Sequence, residues 1–368
     1  MLAFHGDEAV AHDNGSWVDP ENYFCIVCQA EPIFAKIRRS LNKSTKIILN
    51  YVLGGALFTW LTFAIVRQIR HQENLPAAWA HIREMIADRG WVLLLMVMLM
   101  MLVNWGIEAR KWQILVRPLE PVPFRRAFGA ILTGVSVSVS TPNRIGEYGG
   151  RMLYLSNASK LKSIAATIVG SYSQIIATLL FGLVGGLFYV SRYDVTGQLS
   201  AAPGFREKLT LGLLILVCAT VLFLYFRLRI IISLVDRVKW LRKVKVFIMV
   251  IVRYSPAELR TLLYLSAIRY MVFTAQYLIL LYALGVAFVW WEGFFMISVI
   301  YLVMAVIPTV AIAEVGLRGS VSLHFLGLLS ANAAGILAAT VAIWLINLVL
   351  PAAIGSVLLL GVKIFRDK

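Results

Sequence analysis

The chain has 368 residues, of which 60% are hydrophobic and only 15% charged, and it carries a formal net charge of +16. A soluble globular domain usually has about 25% charged residues, so the polar surface needed to dissolve a protein of this size is missing. A basic excess of this size in a soluble protein would suggest nucleic acid. Here the basic residues lie in short runs between apolar blocks, the pattern by which membrane proteins set their topology, so no nucleic-acid partner is expected.

Residues 1–34 differ from the rest, with six acidic residues and no Lys or Arg. No basic segment leads into an apolar run there, so this is not a secretory signal; it reads as an acidic, disordered tail. Cys25 and Cys28 form a C-x-x-C pair without the second pair or the histidines of a zinc site, so no metal or cofactor is expected.

The remainder, 35–368, reads as one polytopic membrane domain. Segments 47–65, 91–106, 209–225 and 336–362 contain no charge, and about 20 apolar residues suffice for a helix to cross the hydrocarbon core. Six crossings are expected, at about 46–66, 90–109, 164–190, 209–228, 259–285 and 332–361. Basic clusters at 36–46, 110–126, 227–253 and 363–368 then all fall on one side. The positive-inside rule makes that side cytoplasmic, which places both termini there and the protein in the cytoplasmic membrane. Glu108, Arg110 and Lys111 fall at the interfacial end of the second crossing.

Two further apolar segments, 127–141 and 293–307, would give helices of roughly 22 Å, short of a core about 30 Å thick. Each ends at a proline, Pro142 or Pro308. A broken helix survives in a membrane only where protein or a water-filled cavity surrounds its freed backbone, so both read as re-entrant helical hairpins. After each proline comes E-x-G-x-R, as Glu147 to Arg151 and as Glu314 to Arg318, and then Ala-Ala-Thr at 165–167 and 338–340. The shared order marks an internal repeat, with halves of about 45–190 and 209–362. Because the corresponding crossings are three apart, the halves run oppositely through the membrane. The expected fold is therefore an all-α integral membrane protein: six transmembrane helices plus two re-entrant hairpins in an inverted repeat, an architecture many alternating-access transporters use.

Charge inside a membrane needs a partner or a role. Glu147 and Arg151, like Glu314 and Arg318, share a face at a spacing of four if helical. Thr141 can cap a helix whose first turn holds Pro142 and Arg144, a setting in which backbone N–H groups and a guanidinium favour phosphate. Arg269, beside Tyr270 within the fifth crossing, is a third cation. Glu147 and Glu314 are the carboxylates best placed to carry protons. Asn104 and Asn347 suit bonds between neighbouring helices. No phosphate-binding P-loop, metalloprotease or esterase motif is present, so the chain reads as a transporter rather than an enzyme.

The run Thr141-Pro142-Asn143-Arg144-Ile145-Gly146-Glu147-Tyr148-Gly149-Gly150-Arg151 and the looser Ala313-Glu314-Val315-Gly316-Leu317-Arg318-Gly319 resemble the lysylphosphatidylglycerol synthase transmembrane family, the flippase-like domains. The resemblance extends over roughly 45–365. It implies movement of a phospholipid or lipid-linked precursor between leaflets, with an anionic or phosphate-bearing headgroup as partner. The family's soluble aminoacyl-transferring domain has no counterpart in this sequence, so aminoacyl-lipid synthesis is not expected. A membrane-embedded transferase acting on a lipid phosphate and a non-transporting subunit of a partner enzyme are the rival readings. A homo-oligomer also stays open.

Overall fold

The computed structural model describes residues 90–139, 145–155, 160–193, 205–227, 254–307 and 311–361, with Thr59, Phe63, Ala80, Arg83 and Thr141. The acidic tail with Cys25 and Cys28, most of the first expected crossing, and Pro142, Arg144 and Pro308 lie outside the described residues. All described residues belong to the unit that spans 50–366.

The elements are helices: α1 Trp91–Val116, α2 Phe124–Val139, α3 Gly146–Met152, α4 Lys160–Arg192, α5 Phe205–Phe226, α6 Pro256–Ala283, α7 Trp290–Val306, α8 Ala311–Leu326, α9 Ala333–Trp344 and α10 Leu350–Leu360. A π-helical turn, Leu345–Val349, joins α9 to α10 without a break. Pro351 explains the wide turn. It has no N–H to offer, and its ring crowds the carbonyl four residues back, at Asn347.

Four stretches among the described residues are long and apolar enough to cross a membrane: Trp91–Val116, Lys162–Arg192, Pro256–Ala283 and Ala333–Leu360. They correspond to four of the six expected crossings. The helix α5 coincides with another, its described apolar part being Ile215–Phe226. The outer face of α1 exposes Trp91, Leu95, Met96, Leu99, Leu102 and Val103. Such a continuous apolar stripe is a liability in water and the normal state of a helix facing lipid.

Local signals place the helix ends. Ser255 and Glu258 form a reciprocal capping box ahead of α6, with Pro256 in the first turn. Gly285, at φ 71°, turns the chain after α6. Asn332 then accepts from the Gly335 N–H to start α9 and donates to the carbonyls of Leu284 and Gly285, joining the two ends.

A long helix, two short ones and a long one follow in that order twice. The first series is α1 to α4, with 26, 16, 7 and 33 residues. The second is α6, α7, α8 and the α9–α10 stretch, with 28, 17, 16 and 28 residues. Both E-x-G-x-R runs lie on the second short helix of their series. The packing is reciprocal as well, since α4 lies against α7 and α10 lies against α2. Both contacts close on glycine. A Cβ on Gly185 would sit 2.6 Å from the Phe295 carbonyl oxygen, and one on Gly355 would sit 2.0 Å from that of Leu132. Between helices in lipid, such close approach is a main source of packing energy.

Polar bonds cross the same core. Asn104 on α1 donates to Asn347 in the π-helical turn at 3.1 Å, and Gln276 on α6 donates to the Val97 carbonyl at 2.9 Å. Both asparagines thus serve helix association.

Gly355→Ala must push α10 off the α2 backbone, and is expected to cost about 1–3 kcal/mol. Thermal unfolding of the detergent-solubilised protein should show the loss. Gly212→Ala, with no atom within 4 Å of the added methyl, should leave the midpoint unchanged or slightly raised.

Candidate functional site

The helix α1 carries Asn104, Glu108, Lys111 and Leu115 at spacings of four, three and four, so they line one face. The first three are polar, and all four are buried. Glu108 is the hub. Its Oε1 accepts from Arg151 Nη2 at 3.1 Å, and its Oε2 lies 3.2 Å from Lys111 Nζ and 3.5 Å from Arg269 Nη1. Arg151 also pairs with Glu147, one helical turn before it.

The surrounding helices complete the set. From α4, the Gly170 carbonyl accepts from Lys111 Nζ at 3.3 Å. Gln174 Oε1 accepts from Lys111 at 3.5 Å and from Arg269 Nη1 at 3.3 Å. The Arg269 guanidinium lies 5.3 Å from the ring centroid of Trp105 on α1, a cation–π contact that adds to the ion pair. Among the described residues three cations thus meet two carboxylates, leaving one positive charge in excess.

Glycines put Arg151 there. A Cβ on Gly150 would sit 2.6 Å from Gly134 Cα, and one on Gly134 would sit 3.0 Å from Arg151 Cγ. The two short helices α2 and α3 can therefore lie backbone to backbone, with the Arg151 stem along the contact. A hydrogen bond of 2.9 Å between the hydroxyls of Thr133 and Tyr154 ties down the chain beyond α3.

In the corresponding part of the second series the described residues form a hydroxyl network. Tyr277 donates to Ser322 at 2.9 Å and shares a hydrogen bond with Thr340. Arg318 on α8 acts electrostatically on the Tyr277 and Tyr301 phenols. Tyr270 stacks on Phe181 at 4.6 Å and meets Tyr301 edge-on. Lys111 and Tyr277 precede the first short helix of their series by the same number of residues, so an ammonium in one half is matched by a phenol in the other.

Of the residues singled out in the sequence, Glu147, Arg151 and Arg269 come together in the ion cluster. Tyr270 and Arg318 belong to the tyrosine-rich group. Glu314 lies on α8, and its side chain, like all of Arg144, is outside the described residues. Thr141 differs from expectation. The helix after it begins at Gly146, and Thr141 Oγ1 accepts the Gly146 N–H at 2.8 Å from five residues before it. Residues 142–144, between Thr141 and this helix, lie outside the described residues.

Glu108 and Lys111 correct a second expectation. The second crossing does not end at 109, because α1 continues to Val116 and takes both residues into the interior. The missed signal was the polar face Asn104, Glu108, Lys111, whose helical spacing continues past the apolar block.

Long apolar helices around a buried cluster of paired charges define an α-helical integral membrane protein with a polar centre. The chain belongs to the family described as the lysylphosphatidylglycerol synthase TM region, whose match covers residues 47–355 and so includes both helix series and the cluster. No curated protein matches it.

Replacing Glu108 by Gln leaves Lys111, Arg151 and Arg269 facing one another without their shared carboxylate. Breaking a buried pair in this way costs about 3–5 kcal/mol. The thermal midpoint of the detergent-solubilised variant should fall accordingly, and by much more than that of Arg110→Gln on the exposed face of α1.

Proposed function

We propose that the protein carries a phospholipid or lipid-linked precursor with an anionic, phosphate-bearing headgroup between the leaflets of the cytoplasmic membrane. One observation carries this reading: the ion cluster draws Glu108, Lys111, Glu147, Arg151 and Gln174 from the first helix series and Arg269 from the second, with one positive charge in excess among the described residues. A fixed structural ion pair needs no surplus. A surplus cation inside a membrane calls for an anion, and planar guanidinium groups suit phosphate.

In this reading six helices cross the membrane and both termini face the cytoplasm. The pairs α2–α3 and α7–α8 form the re-entrant hairpins of an inverted repeat. Helices of 16 and 17 residues are about 24–26 Å long, shorter than the hydrocarbon core. The reciprocal packing of α4 on α7 and α10 on α2 supports two halves that rock about a shared centre. Arg144, Arg151, Arg269 and Arg318 would handle the headgroup, with Thr141 and Tyr270 beside them, while Glu147 and Glu314 would carry any coupled protons. A lipid-phosphate transferase is less favoured, because the sequence holds no P-loop, metalloprotease or esterase motif.

The test is reconstitution of the full chain in liposomes containing fluorescent phosphatidylglycerol, with the outer leaflet quenched chemically. Lipid should cross faster than in empty liposomes, and Arg269→Gln should slow it about tenfold or more. Equal rates in protein-containing and empty liposomes, across several headgroups and with a pH gradient imposed, would count against transport. A covalently altered lipid would instead favour the transferase.

A further inference from the structure

We infer that Glu147 is an internal stand-in for the substrate's phosphate, occupying Arg151 until a singly charged phosphodiester headgroup displaces it; the inference rests on the transport reading above. The two carboxylates on Arg151 are not equivalent. Glu108 is buried, with 8% of its side chain exposed, and is held by Lys111, Arg151 and Arg269. Glu147 has 25% of its side chain exposed, and Arg151 is its one ionic partner among the described residues. Glu108 therefore cannot leave without exposing three cations to one another, whereas Glu147 can swing outward and leave Arg151 still paired.

Two further donors await an acceptor. Arg151 Nε and Arg269 Nε are both buried and have no hydrogen-bond partner among the described residues. A buried guanidinium N–H without an acceptor is costly, all the more where no bulk water reaches. Displacing Glu147 frees the Nη2–H of Arg151 that it holds, beside the unused Nε–H of the same guanidinium, so an entering ligand with two free oxygens fits that fork. A phosphodiester has two such oxygens and matches the guanidinium fork. Charge is compatible with the same class, since exchanging one carboxylate for one singly charged phosphodiester leaves the total of the cluster unchanged, while a doubly charged phosphate monoester would bring it to zero.

The measurement is binding of fluorescent, acyl-labelled phosphatidylglycerol to the detergent-solubilised full chain, followed by polarisation, with inorganic phosphate as competitor. Removing the competing carboxylate in E147Q should tighten binding about tenfold, and E147D, whose carboxylate is drawn back from Arg151, should lie between E147Q and wild type. R151K, which keeps the charge and loses the fork, should weaken binding. Unchanged or weaker binding by both Glu147 variants would overturn the inference. If wild type still moves lipid in liposomes when that happens, the transport reading stands alone. If wild type moves none, that reading falls by its own assay. Competition by inorganic phosphate at concentrations matching the lipid would identify free phosphate, rather than a headgroup, as the anion that displaces Glu147.

Discussion

A carboxylate placed within a membrane-spanning helix must be paid for, and the way Glu108 is compensated organises the interior of this protein. Insertion of a single charged residue at a helix centre costs about 2.5–3.5 kcal/mol. Glu108 meets that cost with three cations from three helices, Lys111 on its own α1, Arg151 on α3 and Arg269 on α6. The requirement reaches outward from there. Arg151 can approach only because Gly134 and Gly150 let α2 and α3 touch, and Lys111 lies buried only because α4 offers the Gly170 carbonyl and Gln174.

The two helix series share an order and a packing scheme, and among the described residues their polar groups differ. The first concentrates ionised groups; the second, at the matching place, uses Tyr277, Ser322 and Thr340, with Arg318 acting on the neighbouring phenols. Hydroxyl networks hold helices together without the desolvation cost of ions. Arg269 connects the two series, since it stands on α6 of the second and pairs with Glu108 and Gln174 of the first.

Much of this was legible in the sequence. The apolar lengths gave the long helices, and the shortened segments 127–141 and 293–307 gave the positions of the paired short helices. The family was legible in the run from Thr141 to Arg151. Glu147, Arg151 and Arg269 stood out because isolated charges in apolar surroundings are conspicuous. Glu108 and Lys111 did not, because a charged residue at the edge of a hydropathy block looks like a helix end. Only partners far along the chain allow α1 to continue through them, and sequence spacing does not reveal such partners. Within the tyrosine group Tyr270 and Arg318 stood out, but Tyr277, Tyr301, Ser322 and Thr340 did not, since hydroxyls and phenols among apolar residues look like ordinary packing. The start of α3 at Gly146 was hidden because the Thr141 hydroxyl acts on it from outside the usual capping distance.

The central claim is that Glu108 binds the two halves through Arg269. A double-mutant cycle with Glu108→Gln and Arg269→Gln, read by thermal unfolding of the purified protein, tests it most directly. The account predicts a coupling between the two substitutions of about 1–3 kcal/mol, the double variant losing less stability than the single losses combined. Losses that simply add, to within about 0.5 kcal/mol, would contradict it.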